Sequence, residues 1–342
     1  LLGSMPLKSR RKVRDMLEEG SIDIAIGTHA LIQEGVRIPR LGLAVVDEQH
    51  RFGVALRTSL RERGDISHLL VMSATPIPRT LALTLYGDLD LSVVDELPPG
   101  RIPINTTSHS NKKREEIILS IKKRILNMEC QAYWVCTLID ESESLQCETA
   151  IATAEQLKQK LDKINVGLIH GRMKPNEKEK IMRDFKEKEI DLLVATTVIE
   201  VGLDVPNASL MIIDNAERLG LSQLHQLRGR IGRGNEESHC MLIYQSPLND
   251  LAKERVETMR VTNDGFLIAE EDMRLRGFGD VLGYQQSGIK NFKLADPIHH
   301  EDLFKIADAH IKDIESDESN FKKYEFLLKL FDRADIVNEV NI

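Results

Sequence analysis

No G-x-x-x-x-G-K-[ST] loop occurs anywhere in the 342 residues. That absence removes from this sequence the backbone cradle and lysine that commonly grip nucleotide phosphates. Cysteine is scarce: Cys130, Cys136, Cys147 and Cys240 form no C-x-x-C pair and no regular spacing, which excludes a disulfide framework or a zinc knuckle and points to reduced thiols. No stretch approaches the ~20 apolar residues of a membrane span. The opening LLGSMPLKSRR lacks the apolar core of a signal peptide and reads as though cut from something longer. A net charge of -8 excludes a uniformly basic coat, though not a local stripe of positive charge. Residues 1–14 offer one, with Lys8, Arg10, Arg11, Lys12 and Arg14 and no acid; a solvated helix face is the plainer reading.

What is present is an ordinary globular balance, 42% hydrophobic and 29% charged, enough for two cores and an extension. Short β-rich apolar runs alternate with helical patterns, the signature of an α/β fold with parallel sheets covered on both faces. One set is IDIAI (22–26), LAVV (43–46) and LLVM (69–72). The other is AYWVCTL (132–138), VGLI (166–169), LLVAT (192–196), SLMIID (209–214) and HCMLIY (239–244). Between two of these runs, residues 174–189 carry a proline near the start and Ile181, Met182 and Phe185 on one face, so an amphipathic crossover helix is predicted. The turn-rich DELPPGRIP (95–103) separates the sets. Segments 1–100, 101–255 and 256–342 are the expected divisions, the last mainly helical.

Polar motifs follow the strands, as ligand sites in open α/β sheets do. Asp47 and Glu48 come directly after LAVV; there one carboxylate can hold a Mg²⁺ shell on the β- and γ-phosphates while its neighbour polarises water. Ser73 and Thr75 follow LLVM, with hydroxyls able to bond Gln49 or His50 and transmit nucleotide state. In QLHQLRGRIGRG (223–234), Arg230 and Arg233 are three apart, so a helix beginning there would aim both across a cleft at a transferring phosphoryl. Thr196 and Thr197 suit a sugar-phosphate backbone, as do the local N–H groups of the loop that holds Gly202. Asp204 suits a ribose hydroxyl or the arginines. His170, Gly171 and Arg172 offer a further phosphate site, and Thr28 and His29 do the same in the first segment.

DEQH, SATP, TTVIEVGLD and Q-x-x-G-R-x-G-R (226–233) resemble motifs II, III, V and VI of superfamily 2 helicases. Longer strings, DEQHRFGV, SATPIPRTLALTLYGDLDLSVVDELPPGR, QAYWVCTLIDESE, GLIHGRMKPNEKE and NDGFLIAEEDMRLRGFGD, narrow the resemblance to the RecG family of bacterial ATP-dependent helicases that remodel branched DNA. The resemblance implies RecA-like lobes in 1–100 and 101–255, ATP and Mg²⁺ as cofactors, and branched duplex DNA as partner, with single-stranded DNA-binding protein beside it in a bacterial cytoplasm. It gives Asp47 to the metal, Glu48 to the water, and Gln226, Arg230, Arg233, Gly202 and Asp204 to the nucleotide. Residues 261–288 resemble the family's translocation hairpin, with Arg274, Arg276 and Gln285 as its polar contacts. Phe278 stands where proline is usual in that hairpin.

Two other readings stay open. The transcription-repair coupling translocases share -TPIPRTL- and the hairpin, though they usually carry Glu-Glu-Gln after the motif II aspartate. A non-catalytic DNA-binding module would retain phosphate contacts without turnover. Without a phosphate loop, the 342 residues alone are expected to hydrolyse little or no ATP.

Overall fold

The structure, a computed structural model, describes residues 1–2, 5–31, 35–47, 68–73, 90, 92–96, 98, 100–137, 143–197, 205–234, 236–276, 303, 306–307 and 310–311. These fall into two compact units, the first containing the described residues up to 73 and the second those from 90 onward.

The first unit holds helix α1 (Leu7–Glu18) and strands β1 (Leu43–Val46) and β2 (His68–Val71), which pair in parallel with Val46 opposite Val71. Lys8, Arg11 and Lys12 are exposed on α1, as a basic helix face requires. The IDIAI run, expected as a strand, is not one: residues 22–26 are irregular and Ile24 and Ile26 are exposed. A strand exists only where a neighbour completes its ladder, and the described residues bring none to this run.

The second unit is built on six parallel strands in the order β3-β8-β7-β4-β6-β5. They are β3 (Asn105–Ser110), β4 (Gln131–Cys136), β5 (Val166–Ile169), β6 (Leu192–Ala195), β7 (Ala208–Asp214) and β8 (His239–Tyr244). In β4, β6 and β7 every residue is buried, which is why these strands read as continuous apolar runs rather than as alternating ones. Their side chains still alternate between two cores. Ala132, Trp134 and Cys136 meet α2 (Arg114–Met128) and α3 (Glu143–Lys160) through Ile118, Ile121, Ala154 and Leu157. On the opposite face Tyr133 and Val135 join a cluster with Phe185, Leu224, Met259 and Ile268.

Those four residues belong to α4 (Pro175–Lys186), α5 (Leu221–Arg228), α6 (Asp250–Val261) and α7 (Gly265–Arg276). The crossover helix expected over 174–189 is α4. Pro175 starts it where its missing N–H costs nothing, Glu177 accepts the Lys174 N–H at 3.0 Å, and Met182 and Phe185 are buried. The Phe185 ring meets Tyr133 edge-on with centroids 4.9 Å apart. Helix α6 runs through the division expected at 255/256, with Val256 in the core.

Candidate functional site

Because all six strands of the second unit are parallel, the loops that follow them leave from one edge of the sheet. Strand β5 delivers His170, Gly171 and Arg172 to that edge, and the adjacent β6 delivers Thr196 and Thr197. Ile169 lies opposite Ala195, and the Thr196 N–H donates to Ile169 O at 3.3 Å. The two predicted phosphate segments are therefore neighbours. Thr196 is 1% exposed, yet its hydroxyl has no hydrogen-bond partner among the described residues, and neither has the buried His170 Nδ1. Such groups ordinarily find a partner, and leaving one unmet costs ~1–3 kcal/mol.

Further along the same edge, Arg114 pairs with Asp214 at the end of β7 and stacks over Trp134 with 4.9 Å to the ring centroid. The Thr137 hydroxyl donates to Asp214 O at 2.8 Å. Arg114 and Asp214 were not expected from sequence, although SLMIID ends in an acid after an apolar run just as LAVVD does.

The arginine segment has a different geometry from the one expected. A helix does not begin at Arg230; α5 ends at Arg228, and the chain turns through Gly229 and Arg230. Gly232 has φ +75°, the left-handed region that side chains avoid. A Cβ on Gly234 would lie 2.7 Å from Pro206 O, so only glycine lets this turn close on residues 205–206. The physical reason is the glycine content, since two glycines with such demands end a helix rather than extend one. Arg230 is half-buried and Arg233 exposed, and Gln226 sits half-buried on α5.

In the first unit, Asp47 follows β1 and Ser73 lies two residues past β2; the parallel pairing sets both at one edge, where the Met72 N–H donates to Val46 O at 2.8 Å. Thr28 is exposed and accepts the Leu31 N–H at 2.9 Å, and His29 opens a single 3-10 turn. Arg274 and Arg276 occupy the last turn of α7. Arg274 pairs with Glu254 at 2.7 Å and Glu271 at 2.9 Å, while Arg276 donates to Asp272 at 3.0 Å. Glu48, Gln49, His50, Thr75, Gly202, Asp204 and Gln285 lie outside the described residues.

Arg228 is a residue the sequence reading passed over. It is 2% exposed; its Nη1 donates to Met259 O and Thr262 O at 2.9 Å each and lies 3.3 Å from Thr106 Oγ1. Nη2 donates to His225 Nδ1 at 3.1 Å, and because a guanidinium cannot accept, His225 carries its proton on Nε2. Burial, and then the Arg228 charge, lower the His225 pKa from 6.5 to about 4. The unfolded chain thus takes up this proton first. The stability held by neutral His225 is complete above about pH 6.5, falls as the pH drops toward 4, and is constant below. Allowing for the ring's partial exposure, the loss is on the order of 2 kcal/mol. Urea titrations at pH 7 and pH 5 check it: His225→Gln removes most of the difference, and an unchanged difference refutes the assignment.

Comparison with known proteins gives this geometry a context. Residues 122–235 match the family described as Helicase conserved C-terminal domain, and residues 262–338 match ATP-dependent DNA helicase RecG, domain 3, C-terminal. Over 300 residues the chain is 55% identical to the ATP-dependent DNA helicase RecG of Pasteurella multocida, covering 86% of this chain and 43% of that protein. The chain belongs to the RecG family. The RecG of Haemophilus influenzae is 51% identical over 318 residues, covering 92% of this chain and 46% of the relative. A solved structure described as RecG bound to a three-way DNA junction superposes with TM-score 0.66 at 41% identity, covering 89% of this chain and 39% of that one. The second unit is accordingly a RecA-like helicase lobe. The chain spans about half the length of these RecG relatives, or somewhat less.

Proposed function

We propose that this RecG-family chain is part of an ATP-dependent DNA motor that remodels branched duplex DNA, reversing stalled forks and migrating four-way junctions. Residues 1–100 and 101–255 contribute its two RecA-like lobes. The observation that carries the reading is the pair of buried atoms at the carboxyl edge of β5 and β6. Thr196 Oγ1 and His170 Nδ1 lack partners among the described residues and lie in sequence beside Arg172. A phosphate backbone supplies acceptors for a hydroxyl, an imidazole N–H and a guanidinium together, without reading base identity. The similarity to RecG bound to a three-way junction supports branched DNA as the substrate class.

The residues present also fit a nucleotide with its metal. Asp47 is an exposed oxygen donor at the end of an apolar strand, of the kind Mg²⁺ takes, with Glu48 beside it in sequence to activate water. Gln226, Arg230 and Arg233 supply polar and cationic groups for the phosphates. A bound magnesium nucleotide would provide the hydrolysable anhydride that drives movement.

The test uses a protein of the relatives' full length that carries this sequence, with a synthetic four-way junction and a linear duplex as substrates. Junction resolution dependent on ATP, without RNA polymerase, is the expected result. Arg172→Ala and Thr196→Val should weaken junction binding about equally across DNA sequences, and Arg172→Ala should lower the salt dependence. Failure on the junction with polymerase displacement intact would favour the coupling translocase instead.

A further inference from the structure

The eight-residue helix α5, which leads into Arg230, is held at both ends by α6 and α7. At its start, the Leu221 N–H donates to Asp272 Oδ1 at 3.3 Å and the Ser222 hydroxyl to Asp272 Oδ2 at 2.7 Å. Arg276 Nε donates to the same Oδ1 at 3.0 Å. The Arg276 guanidinium lies so close over Gly220 that a Cβ there would be 1.7 Å from Nη2. One residue earlier, Arg255 of α6 donates to Leu219 O at 3.1 Å. At the other end, Arg228 binds the last carbonyls of α6, Met259 O and Thr262 O.

We propose that Asp272, from α7, is a positioning residue that sets the rotation of α5 and so ties the nucleotide-facing Gln226 and Arg230 to the α6–α7 hairpin. The inference rests on the motor reading given above. Asp272 is 6% exposed, and burying a carboxylate is costly unless several donors meet it. Here three do: a backbone amide, a hydroxyl and a guanidinium. The amide and hydroxyl belong to α5 and the guanidinium to α7, so neither helix can shift along the other without unpairing the charge. Helix N-terminal N–H groups and the dipole favour a negative group at this point. Ser222 and Gln226 are four apart and share a face of α5. Fixing the Ser222 hydroxyl therefore fixes the direction of Gln226 one turn later.

Two variants in the protein of the relatives' full length test the proposal. Asp272→Asn keeps the shape and removes the charge, and Ser222→Ala removes one donor and leaves the carboxylate. The readout is the ratio of DNA-stimulated to unstimulated ATPase, with KM for ATP and thermal midpoint measured alongside. Asp272→Asn is expected to lower that ratio about tenfold and Ser222→Ala about threefold, with KM for ATP within about twofold. The double variant should lose little more than Asp272→Asn alone, because both act on one link. A purely structural carboxylate would depress both rates together in step with the midpoint, leaving the ratio unmoved, and that result overturns the proposal. So does an unchanged ratio in Ser222→Ala, which decides the matter if Asp272→Asn does not fold. An unsubstituted protein with no DNA-stimulated ATPase overturns the motor reading itself, a distinct outcome.

Discussion

Alanine at position 230, in the protein of the relatives' full length, is expected to lower DNA-stimulated ATP hydrolysis by about 10³-fold or more while KM for ATP moves far less. The backbone around Arg230 does not depend on its side chain. Its N–H donates to Leu227 O at 3.0 Å, Ile231 is fully buried, and Gly232 and Gly234 set the turn by their own geometry. The half-buried side chain can therefore be removed with the lobe intact, and the loss reports on charge stabilisation as the phosphoryl moves. Arg230→Lys sharpens the test, because a point charge keeps the sign but loses the planar fork of donors; recovery should be a small fraction of the loss. A decline of less than tenfold in Arg230→Ala, measured at saturating junction DNA, removes this residue from the chemical step.

What the sequence makes legible follows from burial. VGLI and HCMLIY are strands over those same residues because they are interior and apolar, and so is most of SLMIID. The second lobe's β3, NTTSHS, gives no such signal. It is an edge strand paired only with β8, so its side chains answer to solvent as much as to core. IDIAI errs the other way, with the composition of a strand but no ladder among the described residues. In the candidate site, segments with a local chemical pattern were readable: acids after an apolar run, hydroxyls after another, arginines among glycines. Asp214, Arg228 and Asp272 were not, since each works through partners tens of residues away. The Arg228 partners at Thr106 and Thr262 are 122 and 34 positions off, and Asp272 meets Ser222 across 50. Sequence spacing carries no trace of such contacts.

Arg228→Met is expected to destabilise the 342-residue chain by about 3–5 kcal/mol, read as a lower urea midpoint at pH 7. Methionine fills much of the space but donates nothing. It strands the carbonyls of Met259 and Thr262 in a region where Arg228 itself is 2% exposed, at a cost of ~1–3 kcal/mol for each unmet group. Arg228→Lys should recover part of the loss, since one ammonium can reach a carbonyl but cannot span two carbonyls and an imidazole in a fixed plane. A second signature separates this account from simple loss of packing. The Arg228 charge helps to hold the His225 pKa near 4, after burial. Removing it raises that pKa toward the ordinary histidine value, so Arg228→Met should lose less of its remaining stability between pH 7 and pH 5 than the unsubstituted chain does. If instead the midpoint moves by less than about 1 kcal/mol and the acid sensitivity is unchanged, the guanidinium does not clamp α5 to α6.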